Sequence, residues 1–291
     1  MGKTISVIIA AYNEEKHIRK CLATLVQQTV NLDELIVVDD GSTDKTWEKL
    51  TAFKKTHPQI HIYRIKHFEQ ATARNLGFTK STGNILVFPD ADYYFDRKFI
   101  ERLVKPIMTG KVIATYTNDE YVANPENVWS QCWNINAYLP KNRRIPINDP
   151  IRGNNFRAIM RNAFIKAGGF SETGYSNDIT VLNKLGVNNA GLVVPGAICY
   201  HYNPDTLVKV FDGAYRKGRK GGVPVTLKNY IIFSPFNSLR KGLIDAIRER
   251  KPWYLVFKLI FDFALFSGMT VRLWLTLFNA NPNIKNLGSK T

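Results

Sequence analysis

Asp90 and Asp92 stand one residue apart in Phe88-Pro89-Asp90-Ala91-Asp92, directly after a short apolar run at residues 85–89. Two carboxylates so spaced can grip a hard divalent ion, and such an ion also binds diphosphate oxygens. Mg²⁺ or Mn²⁺ held there would neutralise the charge that builds on a departing nucleoside diphosphate. Aspartate pairs are common in turns, so the meaning of this one comes from its surroundings. Tyr12-Asn13-Glu14-Glu15 follows the apolar run Ile5–Ala11, and Asp39-Asp40-Gly41-Ser42 ends the run Glu34–Asp39. Clustered carboxylates repel one another and lose hydration, so core packing gains nothing from them. A cation or a hydrogen-bonded ligand would offset that cost.

The elements that must position these acids alternate in type. Residues 5–11, 34–39, 60–65 and 85–89 are short β-rich runs, and residues 14–28, 43–56 and 70–81 are amphipathic segments of helical period. Ser42-Thr43-Asp44 offers a cap for the second helix. Unbroken apolar strands alternating with helices predict a mostly parallel α/β sheet covered on both faces. Ligands of such sheets bind beyond the carboxyl ends of the strands, where the three acidic segments fall. Beyond residue 112 the alternation weakens: 112–118 reads as a further strand, 125–139 as helical, and 152–156 as a loop entering a strand. Trp129 and Trp133 lie at helical spacing, which favours a core role over sugar stacking.

Forty Lys and Arg against 24 Asp and Glu give a formal charge of +16. That excess points to an anionic partner: a bilayer, phosphorylated substrates or nucleic acid. The three cysteines, Cys21, Cys132 and Cys199, form no CxxC pair, which argues against a zinc knuckle or disulfide framework and for a reducing compartment. The apolar stretch at 5–11 is too short for a signal-peptide core and reads as a buried strand.

The segments SVIIAAYNEE, VVDDGSTD, ARNLG, STGNILVFPDAD and GGF followed by ND, in this order, resemble family 2 glycosyltransferases of the GT-A fold over residues 4 to about 222. The resemblance implies an inverting sugar transfer from a nucleoside-diphosphate-sugar donor. It implies a nucleotide pocket lined by Ala10, Tyr12 and Glu14, with Asp40 meeting the base beside Asp39 and Arg74 reaching the nucleotide. Asp90 would contact ribose or metal, and Asp92 would be the principal metal ligand, with His201 completing the site. The catalytic base would be Asp178; Asn177 stands where many relatives have Glu, and Glu172 is the rival. Asp would equally serve as a cap for the helix that follows. Arg216 and Arg219 would close over the diphosphate as a basic lid hinged on glycines, and residues 153–155 would shape the sugar sites.

The tail Trp253–Phe278 is apolar apart from Lys258, Asp262 and Arg272, which share one helical face. A one-sided charged stripe on an aromatic-rich helix fits a helix lying in a membrane interface, with Lys241, Arg248, Arg250 and Lys251 meeting anionic headgroups. The expected organisation is a catalytic domain at 1–222 and a helical, membrane-associating region at 223–291, on the cytoplasmic face of the membrane. The expected acceptor is a polyprenyl phosphate, lipid-linked oligosaccharide or glycolipid; UDP and GDP donors stay equally open. A sugar nucleotidyltransferase would share the fold but would open on a Gly-rich loop, absent after the first strand. A basic binder of nucleic acid is opposed by the acid-lined sheet edge, so no nucleic-acid partner is expected.

Overall fold

The computed structural model describes residues 3–68, 70–146, 156–171, 177–186 and 191–278. Along the chain these form β1 (Ile5–Ala11), α1 (Ile18–Leu25), β2 (Glu34–Asp39), α2 (Thr46–Thr56), β3 (Ile60–Arg64), α3 (Gln70–Thr79) and β4 (Ile85–Val87). There follow β5 (Tyr93–Phe95), α4 (Phe99–Met108), β6 (Ala114–Tyr116), β7 (Glu120–Val122), α5 (Val128–Asn136) and β8 (Ala158–Met160). The remainder is α6 (Arg161–Lys166), α7 (Asn177–Lys184), β9 (Gly191–Val193), β10 (Cys199–His201) and the helices α8 (Leu207–Arg219), α9 (Leu227–Ile232), α10 (Pro235–Arg248) and α11 (Trp253–Phe278).

Contacts divide the chain into two compact units: residues 1–123 with 142–202, and residues 124–141 with 203–291. The first unit is a seven-stranded sheet ordered β3-β2-β1-β4-β8-β6-β9. β1, β2, β3 and β4 run parallel, as do β6 and β9, while β8 is antiparallel to both its neighbours. Every residue of β1 is buried because the strand feeds two cores. Ile5, Val7, Ile9 and Ala11 pack on one side with α1, α2 and α4, and Ile8 and Ala10 pack on the other with α3, α6 and α7. Strand alternation sends successive side chains to opposite faces, so a sheet covered twice needs an unbroken apolar strand. On the second face α3 lies so close to β1 that a Cβ at Gly77 would overlap Ile8.

A small sheet of order β5-β10-β7 adjoins this frame. Residues 93–95 and 120–122 carry no strand signature of their own; their pairing with β10 creates them. It sets His201 opposite Tyr93 on one side and beside the β7 strand of Glu120 on the other.

The second unit is helical. Asn127 caps α5 by accepting from the backbone N–H groups of Trp129 and Ser130, and Trp133 packs edge-on to Phe257 and Phe261. The charged face of α11 is turned the opposite way from the expectation. Asp262 is fully buried, takes Lys258 Nζ at 2.8 Å and accepts from Ser238 Oγ of α10 at 2.7 Å. Lys258 Nζ also donates to Asn136 Oδ1 of α5 at 3.1 Å, and Arg272 donates to the carbonyl of Val223. The charges therefore satisfy each other inside the helical unit, and Trp253, Phe263, Trp274 and Phe278 face outward. α10 is inverted in the same sense: Ser238, Gly242 and Ala246 face inward, while Phe236 (80% exposed), Leu239, Leu243 and Ile247 (76% exposed) form a strip on the surface.

Removing one partner of a buried ion pair strands the other charge in the interior, at a cost of about 3–5 kcal/mol. Asp262→Ala is expected to lose stability on that scale in urea denaturation. The double variant Lys258→Met/Asp262→Leu is expected to return close to wild type, as it removes both charges and keeps the volume.

Candidate active site

The carboxyl ends of β1, β2 and β4 lie on one edge of the sheet, since the three strands are parallel. The turn after β1 is braced against the turn after β2. Asp40 N donates to Ala11 O at 2.8 Å, Asn13 N to Ser42 Oγ at 3.0 Å, and Thr43 N to Asn13 Oδ1 at 2.8 Å. Asn13 adopts φ 55°, a left-handed conformation that Asn tolerates well.

Asp40 is buried and ties down the segment after β3. Its Oδ1 accepts from Phe68 N at 2.9 Å and its Oδ2 lies 2.9 Å from His67 Nδ1. Gly41, at φ +71°, is required by this closeness, because a Cβ there would sit 2.5 Å from His67 N. The imidazole of His67 stacks on the half-exposed ring of Tyr12 at 4.0 Å. Tyr12, Asp40 and His67 thus converge from three strand ends, and Ala10 is buried in β1 two residues before Tyr12. Asp39 is buried beside Asp40 and is balanced by Arg64, whose Nε lies 3.0 Å from Oδ2. Glu14 starts the helical turn leading into α1: its carbonyl accepts from His17 and Ile18, and its N–H bonds Thr46 Oγ1 at 2.8 Å.

Asp90 has cationic partners on both oxygens. Arg74, buried in α3, donates to Oδ1 at 2.6 Å, where Gln70 also donates, and Arg157 donates to Oδ2 at 3.0 Å. A second Arg157 nitrogen donates to Tyr93 Oη at 3.0 Å. Asp92 has a different partner: its Oδ2 lies 2.9 Å from His201 Nε2. His201 Nδ1 in turn lies 3.0 Å from Oε1 of the buried Glu120, and the imidazole stacks on Tyr93 at 4.2 Å.

The electrostatics follow from these contacts. Burial alone would raise the pKa of Asp92, but the facing His201, with Arg144 and His17, outweighs it and holds the carboxyl below its usual range. Glu120 is likewise pulled down against burial by its hydrogen bond to His201 and by the charges of His201, Arg144 and Arg157. Burial and Arg144 act to lower the pKa of His201, and Asp92 and Glu120 overcome them and raise it. Burial, and then the negative charges of Asp92, Glu14 and Asp90, push the Cys21 thiol well up.

A divalent ion fits this chemistry as a shared guest. Among the described residues no set of three His, Cys, Asp or Glu side chains forms a complete cage. Mg²⁺ ordinarily takes only one or two carboxylates and fills its shell with water and substrate phosphates. Asp92 Oδ2 and His201 Nε2 offer that partial shell, whereas both oxygens of Asp90 are occupied by guanidinium groups.

Asp178 is the second residue of α7. Glu172 and residues 153–155 lie outside the described residues. Arg216 and Arg219 belong to the last turn of α8, in the helical unit. This stretch is regular helix where a hinged loop was expected. Gly218 serves packing, since a Cβ there would meet the carbonyl of Leu265 at 2.5 Å and the backbone of Gly268 close by. His67, Arg157, Glu120 and Arg144 join the site without having been singled out in the sequence. None belongs to a recognisable motif, and each arrives through strand pairing or a turn that brings distant segments together.

A model of the family described as "Glycosyl transferase family 2" matches residues 6–168, more than half of the chain. The chain is 33% identical over 111 residues to a dolichol-phosphate mannosyltransferase of Pyrococcus furiosus, covering 38% of this chain and 32% of the relative. To glycosyltransferase AglE of Haloferax volcanii it is 37% identical over 125 residues, covering 39% of this chain and 41% of the relative. It thus spans well under half the length of these curated relatives. Among solved structures, a Pyrobaculum calidifontis mannosyltransferase in complex with GDP-Man and Mn²⁺ superposes with a TM-score of 0.58 at 20% identity, over 94% of this chain and 88% of that one. S. aureus TarS 1–349 in complex with UDP-GlcNAc superposes with a TM-score of 0.52 at 17% identity, over 93% and 92%. At these identities the two superpositions establish the fold.

Proposed function

The chain belongs to glycosyl transferase family 2 and has its GT-A fold, and from this premise we propose that it transfers a sugar, with inversion, from a UDP- or GDP-sugar to a membrane-linked acceptor. The observation that carries this reading is the convergence of Tyr12, Asp40, Asp90 and Asp92 at the carboxyl ends of the parallel strands β1, β2 and β4 of one sheet, with His201 facing Asp92. The Tyr12–His67 stack would support the base beside Asp40. Asp90 would keep Arg74 and Arg157 oriented toward the nucleotide. Asp92 and His201 would hold Mg²⁺ or Mn²⁺, which when bound would neutralise the charge of the diphosphate leaving group. Asp178 would take the proton of the acceptor hydroxyl as it attacks the anomeric carbon. Arg216 and Arg219 would contact phosphate, as guanidinium groups do in bidentate fashion. They would work with a catalytic portion reaching to about residue 222, although α8 packs among the helices.

The acceptor is proposed to be a polyprenyl phosphate, a lipid-linked oligosaccharide or a glycolipid. A relative named as a dolichol-phosphate mannosyltransferase supports this class, and so does the surface of the helical unit. α11 is long and apolar enough to cross a bilayer by length and composition, with half of its most apolar window buried within the protein. Leu227, Ile231 and the Phe236–Leu239–Leu243–Ile247 strip are exposed, and the unit carries sixteen Lys and Arg against six Asp and Glu. An apolar strip with basic flanks suits the surface of an anionic bilayer. The face that enters the interface is then the apolar outside of α10 and α11, with the Lys258–Asp262 pair of α11 kept inside. The protein would sit as a peripheral or monotopic enzyme on the cytoplasmic face, where Cys21, Cys132 and Cys199 stay free thiols.

Three measurements test these claims. Calorimetry of UDP, GDP and their common sugars with Mn²⁺ is expected to find one tight donor, whose metal-dependent binding Asp92→Ala abolishes. Asp178→Asn is expected to bind that donor normally and to lose transfer by at least about 10²-fold, the scale of general-base catalysis. Normal transfer by either variant would remove its assigned role, and release of pyrophosphate would point to a nucleotidyltransferase. In vesicle sedimentation, the double variant Phe236→Glu/Ile247→Glu is expected to lose about 10²-fold or more in affinity for anionic bilayers, as two side chains buried in the bilayer contribute about 1.5–3 kcal/mol each. Unchanged binding would contradict the docking face.

A further inference from the structure

Glu120 is the most deeply placed acid of the small sheet, and no step of the reaction above uses it. Its Oε1 accepts from Tyr93 Oη at 2.8 Å and lies 3.0 Å from His201 Nδ1. Arg144, whose backbone N–H is bonded to the Glu120 carbonyl, brings its Nε to 3.1 Å from the same ring nitrogen. These two neighbours make opposite demands. A guanidinium only donates, so it suits an Nδ1 lone pair, and an ionised carboxylate only accepts, so it suits Nδ1–H. At the other end of the neutral ring, the 2.9 Å contact of Nε2 with Asp92 Oδ2 suits Nε2–H. The neutral imidazole thus has two tautomers that serve different partners. With the proton on Nε2 it serves Asp92 and Arg144, and with the proton on Nδ1 it serves Glu120 and leaves the Nε2 lone pair free.

We propose that Glu120 is a positioning residue that holds the proton of His201 on Nδ1 and so presents the Nε2 lone pair, beside Asp92, to a divalent cation. The inference rests on the reading of Asp92 and His201 as cation ligands. In metal sites a ligating histidine donates its second N–H to a carboxylate or carbonyl, which fixes its tautomer and ring orientation. Glu120 meets that requirement at Nδ1, the ring nitrogen away from Asp92. The parallel pairing of β7 with β10 and the Tyr93 hydroxyl hold it in place. Arg144 then stabilises the alternative tautomer, so that His201 exchanges Asp92 for a cation without leaving its stack on Tyr93.

The test uses the full chain with bound nucleoside diphosphate. Mn²⁺ affinity is read by electron paramagnetic resonance, and the His201 tautomer by ¹⁵N chemical shifts with diamagnetic Mg²⁺. Glu120→Gln, which replaces the charged acceptor by a weaker one, is expected to weaken Mn²⁺ binding about 10–100-fold, the usual effect of losing an outer-shell partner, and to need correspondingly more Mg²⁺ before the Nδ1–H form appears. Glu120→Asp, which keeps a carboxylate, is expected to restore part of the affinity and the Nδ1–H form. Wild-type affinity in Glu120→Gln, alongside loss of binding in Asp92→Asn, would overturn this inference and leave the cation site standing. Equal Mn²⁺ binding by wild type and Asp92→Asn would overturn the cation site itself. Should Glu120→Gln fail to fold in a melting measurement, Glu120→Asp decides the matter, since an Nε2–H ring in its Mg²⁺-bound state would contradict the proposal.

Discussion

The constraint on which this protein depends is electrostatic. Five acids, Asp39, Asp40, Asp90, Asp92 and Glu120, occupy buried or half-buried positions at one end of its sheets, and each must meet a compensating charge or hydrogen bond. The compensation differs in kind. Asp39 and Asp90 are matched to arginines, whose charge cannot be given up, and these contacts fix the strand ends and the α3 helix. Asp92 is matched to an imidazole, which can exchange a proton-bearing contact for a lone pair. The sheet edge therefore combines permanent counter-charges that hold the strand ends with imidazole partners, His67 at Asp40 and His201 at Asp92, whose contacts are exchangeable.

The helical unit obeys the same rule. Lys258 and Asp262 satisfy each other and their neighbours Asn136 and Ser238, so the polar groups of α11 need no water. Small residues on α10 and the facing glycines at 218 and 268 let the helices approach closely. On α10, interior space given to small side chains leaves Phe236, Leu239, Leu243 and Ile247 outside. Such a distribution is costly in water and favourable at the boundary of a bilayer, which ties the packing of this unit to the membrane-linked acceptor proposed for the enzyme.

Much of the frame was legible in the sequence because its causes are local. β1 and β2 were read with their observed bounds, since a strand buried on both faces is an unbroken apolar run. The acids after β1, β2 and β4 could be placed on one edge because parallel strands share a direction. β5 and β7 were not legible, being three-residue strands created by pairing with β10 from about eighty or more residues away. Glu120, Arg157 and His67 were missed for the same reason, as their partners are distant in sequence and no motif marks them. The tail teaches a narrower lesson. Helical periodicity correctly put Lys258, Asp262 and Arg272 on one face, but periodicity carries no sign, and only the partners on α5 and α10 turn that face inward.

The central claim is that Asp92 and His201 jointly receive the cation that accompanies the nucleotide. Anomalous diffraction from crystals grown with Mn²⁺ and a nucleoside diphosphate tests it most directly. The account predicts one strong peak at coordination distance, about 2.1 Å, from an Asp92 oxygen and from His201 Nε2, with Asp90 still held by Arg74 and Arg157. A peak bound to Asp90 with the Asp92–His201 contact intact, or none on this edge of the sheet, would contradict it.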